Sequence, residues 1–249
     1  MAEKQVIVRV RRQAAPGEPA RWEEFALKWR PSMNVIICLR DIGENPVTRD
    51  GKTSTPVSYD SNCLEEICGS CAMLINGKAR MACSALVDQF DQPIRIEPLS
   101  KFPLVRDLTV DRQFMFESLK RVKAWIPIDG TYDLGEGPRV SPEIQEKGYP
   151  LSNCISCGSC LEACPQVNEH NQFMGAAIIS QVRLFNLHPT GAMNKHERIE
   201  AIMGPGGVHE CANAQNCVKA CPKNIPLTES IAEVNRDAWK QALFSRLLR

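Results

Sequence analysis

The sequence predicts an α+β protein, with a small mixed-sheet domain followed by an all-helical one. Three observations predict it. Apolar and polar residues alternate in short runs before about residue 100, the period of a half-buried strand. After that point the apolar residues recur at helical spacing, and no strand signal is present. The cysteines fall into groups separated by about seventy cysteine-free residues between Cys83 and Cys154. A chain of 249 residues accommodates two domains of ordinary size. The boundary is placed between a domain over 1–105 and a second over 106–249.

In the first part, Val6, Val8 and Val10 alternate with polar residues, and Phe25, Leu27 and Trp29 do so again. The turn chemistry of Ala15-Pro-Gly-Glu-Pro between them predicts a hairpin. Met33 to Asp41 is a short apolar segment expected as a helix packed on that sheet. Ala72-Met-Leu-Ile runs through Asn76-Gly77 into Lys78-Ala-Arg-Met, and Asn-Gly between two short strands is a strong hairpin signal. Pro93-Ile-Arg-Ile-Glu-Pro supplies a closing strand. In the second part, Thr109 to Trp125 is expected as a helix, with Phe114, Leu119 and Val122 on spaced faces. Ile126 to Pro150, rich in Gly and Pro, reads as a long connection. Gly175 to Asn186 predicts a helix ended by His188-Pro189, and Pro226 to Leu248 another with Thr228 as N-cap.

Composition excludes several classes. Thirty Lys plus Arg against 29 Asp plus Glu leave a formal charge of +1, without the basic excess of a nucleic-acid binder. An apolar fraction of 43% and a charged fraction of 24% are those of a folded globular chain. No apolar run reaches the roughly 20 residues that span a bilayer. No hydrophobic stretch follows the N-terminal residues, and Arg11-Arg12 lacks the apolar segment of a twin-arginine signal, so the expected compartment is reducing. Twelve cysteines in such a compartment are metal ligands rather than disulfides.

Cys63-x4-Cys68-x2-Cys71, with Cys83 after eleven more residues, has the plant-type spacing for a 2Fe–2S cluster. Four thiolates must converge on two bridged irons. A short loop wraps one side, and the fourth ligand comes from the strand beyond the Asn76-Gly77 turn. Gly69, Ser70 and Ala72 are small enough to let backbone amides approach the sulfurs and tune the potential. Zinc is the alternative, but zinc sites favour paired C-x2-C knuckles and only one such spacing occurs.

Cys154-x2-Cys157-x2-Cys160-x3-Cys164-Pro165 is the bacterial ferredoxin run, whose fourth cysteine ligates the other cluster. Its counterpart is Cys211-x2-Ala214-x2-Cys217-x3-Cys221-Pro222, with Ala214 where a cysteine would complete the pattern. The exchange assigns Cys154, Cys157, Cys160 and Cys221 to a 4Fe–4S cluster. Cys164, Cys211 and Cys217 are left for the other. Three thiolates imply a 3Fe–4S cluster; a cubane with water or another side chain at the open corner is the alternative. Pro165 and Pro222 end the local turns. Cys38, within Val35-Ile-Ile-Cys-Leu, reads as a small core hydrophobe. His170, His188, His196 and His209 lack metal-ligand spacing, and no nucleotide-binding or Ser-His-Asp pattern occurs. Three clusters without a substrate motif describe an electron wire, with no catalytic residue of its own. A sensor or regulatory module would need a DNA-binding element and a basic face, and neither is visible.

In this order and spacing, the cysteines resemble the iron–sulfur subunit of succinate dehydrogenase and fumarate reductase. Asn62-Cys-Leu-Glu-Glu-Ile-Cys-Gly-Ser-Cys, Phe173-Met-Gly-Ala-Ala, Gln181-Val-Arg-Leu-Phe-Asn and His188-Pro-Thr-Gly-Ala are similar to that family too. The later segments look closest to its menaquinone-linked branch, which has a diheme cytochrome b anchor. The resemblance implies a β-grasp, plant-type ferredoxin domain followed by an all-α, bacterial-ferredoxin-like dicluster domain. It implies a flavoprotein partner with covalent FAD and a cytochrome b membrane-anchor subunit carrying heme b and quinone. Electrons would pass from FAD through 2Fe–2S, 4Fe–4S and 3Fe–4S to (mena)quinone, or the reverse way in a fumarate reductase. The subunit would sit peripherally on the cytoplasmic face of the cell membrane. Two departures from some relatives matter. Cys71 stands where some members carry Asp, so ligation at the first cluster is all-thiolate. Pro165 is followed by Gln166, Val167 and Asn168, and Cys211 by Ala212, in place of the tryptophan pair and histidine that ubiquinone-linked members share. Pro165 and Gln166 are carried over only as quinone-proximal candidates.

Overall fold

Strand parity organises the first half of the chain. In the computed structural model, which describes residues 4–126 and 137–247, strand β1 (Gln5–Arg12) buries Val6, Val8, Val10 and Arg12 on one face. Its antiparallel partner β2 (Arg21–Lys28) is an edge strand and fully buries only Phe25. Helix α1 (Val35–Glu44) starts where Asn34 accepts a hydrogen bond from the Ile37 N–H (2.9 Å), an N-cap. It buries Val35, Ile36, Cys38, Leu39 and Ile42. Strands β3 (Ala72–Ile75) and β4 (Lys78–Met81) form the expected hairpin. Asn76 and Gly77 both adopt positive φ (48° and 76°), as a type I′ turn demands.

Strand β5 (Ile94–Glu97) does not merely close the sheet. It lies between β1, to which it is parallel, and β3, to which it is antiparallel, in the order β2-β1-β5-β3-β4. Ile94 and Ile96 are fully buried there. The mixed sheet with its packed helix is the β-grasp-like architecture expected from the sequence.

The expectation of no strand after residue 100 is corrected. Strands β6 (Leu104–Arg106) and β7 (Thr109–Val110) form a two-stranded antiparallel pair, so Thr109 begins a strand and not a helix. The turn between them holds Asp107 at φ 47°. That carboxylate accepts from Arg12 Nε (3.1 Å) and Nη2 (3.2 Å), and from the backbone N–H groups of Gln13 and Ser58. A tertiary ion pair orders a strand pair too short to announce itself by alternation.

The helical half contains α2 (Gln113–Arg121), α3 (Pro142–Ser152), α4 (Ser159–Glu162), α5 (Ala176–Leu187), α6 (Pro189–Ala192), α7 (Lys195–Met203), α8 (Asn216–Ala220) and α9 (Leu227–Leu247). Helix α3 corrects the long connection expected over Ile126–Pro150, of which residues 127–136 lie outside the described residues. Ser141 caps it and Pro142 occupies its first turn, a start signal that the Gly and Pro content had masked. Thr228 lies inside α9 rather than capping it; position 248, the expected end, is outside the described residues. Helix α5 is buried on nearly every side and packs against α3, α7 and α9. Helix α9 presents Leu227, Ser230, Val234 and Ala238 inward, one stripe at helical spacing. His188 ends α5 and caps α6 by accepting from the Gly191 N–H (3.3 Å), a structural role.

The chain divides into two compact units. The first is Met1–Arg112 together with Ile155–Glu162, and the second is Gln113–Cys154 together with Ala163–Arg249.

Candidate iron–sulfur centres

The hairpin positions two of the four cysteines in the first group. Cys71 immediately precedes β3 and Cys83 follows β4 by two residues. The antiparallel register pairs Ala72 with Met81, and the Ala82 N–H donates to the Cys71 carbonyl (3.1 Å). The two Sγ atoms therefore lie 3.4 Å apart. Between Cys63 and Cys71 the loop turns through positive φ at Leu64, Glu66 and Gly69. This winding points amides inward. The N–H groups of Glu65, Ile67 and Cys68 donate to Cys63 Sγ (3.4, 3.3 and 3.3 Å), and that of Glu66 donates to Cys83 Sγ (3.3 Å).

Such N–H···S contacts stabilise thiolate charge. Hydrogen bonds from Ser70, side chain first, hold the Cys68 thiol down at about 6. Burial pushes the Cys71 thiol up to about 11. A coordinated metal charge would reverse that penalty. Four sulfurs with inward amides on two of them suit a small anionic cluster. Among the described residues, no three His, Cys, Asp or Glu side chains gather as they would around a single metal ion.

Gly69 has a further reason to be glycine. A Cβ there would lie 2.3 Å from the Ile155 carbonyl oxygen and 3.1 Å from Cys157 Cα. The segment Ile155–Glu162 belongs to the same unit, so the first ligand loop and the loop bearing Cys157 touch backbone to backbone. Ser156 and Gly158 take positive φ (50° and 84°) around Cys157. Cys157 Sγ lies 3.4 Å from Ser159 Oγ, and Cys160 sits buried in α4. Glu162 ends that helix, accepting from Ser100 Oγ (2.5 Å) and from the Lys101 N–H (3.0 Å). Cys154, which follows α3, and Cys221, which ends α8, belong to the second unit.

The third group is assembled within the second unit. Cys164, Cys211 and Cys217 line one pocket together with Ala214, Pro165 and Gln166. Burial raises the Cys217 thiol, and the neighbouring Cys164 and Cys211 raise it further. Asn216 Nδ2 donates to the Ala163 carbonyl (3.1 Å), tying the second cysteine run to the first. Asn213 and Gln215 flank Ala214 with positive φ (55° and 60°). Phe173, Ala176 and Ile231 form the apolar wall. Cys38 lies outside all of these groups, fully buried in α1, and burial raises its thiol to about 12.

Sequence reasoning missed the polar residues behind the cysteines. Arg112 Nη1 and Nη2 donate to the Gly69 and Ser70 carbonyls (2.9 and 2.8 Å). Arg12 donates to Ser54, Thr55 and Pro56, upstream of Cys63. Neither arginine lies in a motif. Only the parity of Arg12 with Val6, Val8 and Val10 was a signal, and it was readable as the end of a strand.

A mixed-sheet unit with a cysteine group of plant-type spacing, two of its sulfurs 3.4 Å apart, and two further cysteine runs, the first of them divided between the units, define an iron–sulfur electron-transfer protein. Comparison with known proteins agrees. Residues 7–117 match the family model described as a 2Fe-2S iron-sulfur cluster binding domain, and residues 150–225 match that of a 4Fe-4S dicluster domain. The chain is 61% identical to the succinate dehydrogenase iron-sulfur subunit of Bacillus subtilis over 220 residues, which are 88% of this chain and 87% of that one. It is 34% identical over 228 residues to the fumarate reductase iron-sulfur subunit of Wolinella succinogenes, covering 90% and 92% of the two chains. A chain of the Mycobacterium smegmatis Sdh1 complex in the apo form shares the fold, with a TM-score of 0.80 at 23% identity over 96% of this chain and 98% of that one. The chain belongs to the family of succinate dehydrogenase and fumarate reductase iron–sulfur subunits. It is an iron–sulfur electron-transfer subunit of succinate dehydrogenase.

Proposed function

We propose that this chain holds three clusters in series between a flavoprotein with covalent FAD and a cytochrome b membrane anchor that carries heme b and quinone. Cys63, Cys68, Cys71 and Cys83 would hold the 2Fe–2S cluster. Cys154, Cys157, Cys160 and Cys221 would hold the 4Fe–4S cluster, and Cys164, Cys211 and Cys217 the 3Fe–4S cluster. The functional domains are taken as 1–105 and 106–249. Bound there, the clusters supply one-electron redox chemistry that links succinate oxidation to reduction of a quinone, with menaquinone the favoured one.

The chain's own residues do the rest. Amides of the 64–68 loop stabilise thiolate charge at Cys63 and Cys83. Phe173, Ala176 and Ile231 give the third site an apolar wall, which lowers the local polarity. Pro165 and Gln166, in the same pocket, are the quinone-proximal candidates. Exposed Leu64 and Ile67 on the first ligand loop give the flavoprotein an apolar surface. Exposed Trp239, Leu243 and Phe244, with a groove of about 330 Å³ beside Met203 and Val208, give the anchor another. Among the described residues, no helix is long and apolar enough to cross a membrane. Attachment to the cytoplasmic face would therefore run through the anchor.

The observation that carries this reading is the pocket that gathers Cys164, Cys211 and Cys217 around Ala214, three thiolates where a cubane needs four. Iron and sulfide analysis of the purified complex, corrected for heme iron, tests it. The expected content is about nine irons and ten sulfides per chain, with an EPR signal of the oxidised three-iron centre that reduction abolishes. Ten irons and no such signal would overturn the assignment. Rates of succinate oxidation and fumarate reduction with menaquinone and ubiquinone analogues test direction and quinone. Faster fumarate reduction, or a preference for ubiquinone, would reverse that part.

A further inference from the structure

Arg112 is the last residue of the first unit, immediately before α2. Its two terminal nitrogens are both committed to the ligand loop. Nη1 donates to the Gly69 carbonyl and Nη2 to the Ser70 carbonyl (2.9 and 2.8 Å). Its Nε is buried with no hydrogen-bond partner among the described residues. A buried donor left unpaired on an arginine is costly, and such groups call for an explanation.

The clamped dipeptide is also the one that touches the neighbouring ligand loop. Gly69 packs so closely on Ile155 and Cys157 that a Cβ would not fit. The guanidinium consequently stands near ligands of two different clusters. The charges of Asp60, Cys157, Cys71 and Cys68 all act on it, opposing the burial that lowers its proton affinity. It remains cationic throughout, since arginine does not lose its proton in proteins.

Building on the ligand assignment above, we infer that Arg112 is a positioning residue that fixes the contact between the 2Fe–2S and 4Fe–4S ligand loops and raises the reduction potentials of both clusters together. Reduction of either site adds one electron and one negative charge. In a redox titration that electron comes from the added reductant. A fixed positive charge between the loops favours the reduced form at both sites. The arginine fork also fixes the direction of the Gly69 and Ser70 carbonyls and neutralises their negative ends. Electron tunnelling falls off exponentially with distance, so a clamp at the tight Gly69 contact between the loops also protects the transfer rate.

The test is an EPR-monitored redox titration of the assembled complex carrying Arg112→Gln. The expected result is a fall in the midpoints of both the 2Fe–2S and 4Fe–4S clusters. Its size is on the order of a tenfold change in equilibrium at an effective dielectric constant of about 20, or about 59 mV for one electron. The 3Fe–4S midpoint stays at the parent value. Arg112→Lys retains the charge and should hold both midpoints near those of the parent. Unchanged midpoints in Arg112→Gln, an equal shift of all three centres, or a fall in Arg112→Lys as large as in Arg112→Gln would each overturn the inference. Asp60→Asn keeps the test open if Arg112→Gln does not assemble. Asp60 is exposed, so the clamp stays in place, and removing the opposing charge raises both midpoints; no change or a fall overturns the role. Iron content of the parent complex reports separately on the ligand assignment.

Discussion

Ala214→Cys tests the third site with the smallest possible change, one sulfur atom. Ala214 lines the same pocket as Cys164, Cys211 and Cys217. It is exposed, and its backbone is not among those with positive φ, although both neighbours are. A cysteine at that position adds no buried volume and no strain. Exposed substitutions of this kind shift stability by no more than about 0.5 kcal/mol. A change in metal content in the variant would then report ligation rather than misfolding. With a fourth thiolate the pocket should retain a fourth iron. Iron would rise from about nine to about ten per chain while sulfide stays near ten. An added thiolate brings negative charge and disfavours reduction, so the potential of that site should fall and quinone reduction should slow. The assay is iron and sulfide analysis, EPR of the oxidised complex, and succinate:quinone turnover. If iron stays at nine with an undiminished three-iron signal, position 214 does not face the open corner. If the redox titration curve is unchanged, the ligand count does not set that potential.

Three further outcomes follow from the geometry. Asp107→Asn removes one of the two carboxylates that hold the buried Arg12, with Glu23 remaining at 2.7 Å, and should cost about 1–3 kcal/mol. Burial alone would raise the Asp107 carboxyl, but hydrogen bonds from Arg12, Ser58 and Gln13 outweigh it, so the net shift is down from 3.8. Its contribution is therefore complete above that value and lost as pH falls through the folded-state value. Thermal unfolding of the complex against pH should show an acid limb that Asp107→Asn lacks; parallel curves would exclude the pair as its source. Gly69→Ala should cost about 1–2 kcal/mol for the left-handed backbone alone, with the clash at Ile155 added. Wild-type stability together with full iron content would refute the close approach. Cys38→Ser should leave iron content intact while burying a hydroxyl at about 1–3 kcal/mol; loss of iron would make Cys38 a ligand.

Motif chemistry was legible in the sequence because it is local. The cysteine spacings, the gap at Ala214, the Asn76-Gly77 turn and the valines of β1 each depend on residues a few positions apart. Helix α3 was legible in principle, since Ser141-Pro142 is a start signal, but Gly and Pro content outweighed it. The β6–β7 pair was not legible. Asp107 is polar at a turn, and nothing in its neighbourhood announces a partner ninety-five residues away at Arg12.

Ligand type and spacing are covalent properties of the chain, so which sulfurs are available, how many each run offers, and the separateness of Cys38 are all readable before folding. Tertiary structure alone decided that β5 enters the middle of the sheet and that Ile155–Glu162 joins the N-terminal unit. It alone decided that Arg112 clamps the loop on which Cys157 rests, and that Arg12 must be buried against Asp107. These are relations between distant segments. They are set by packing and by the need to satisfy buried charge, and neither leaves a periodic mark on the residues that serve it.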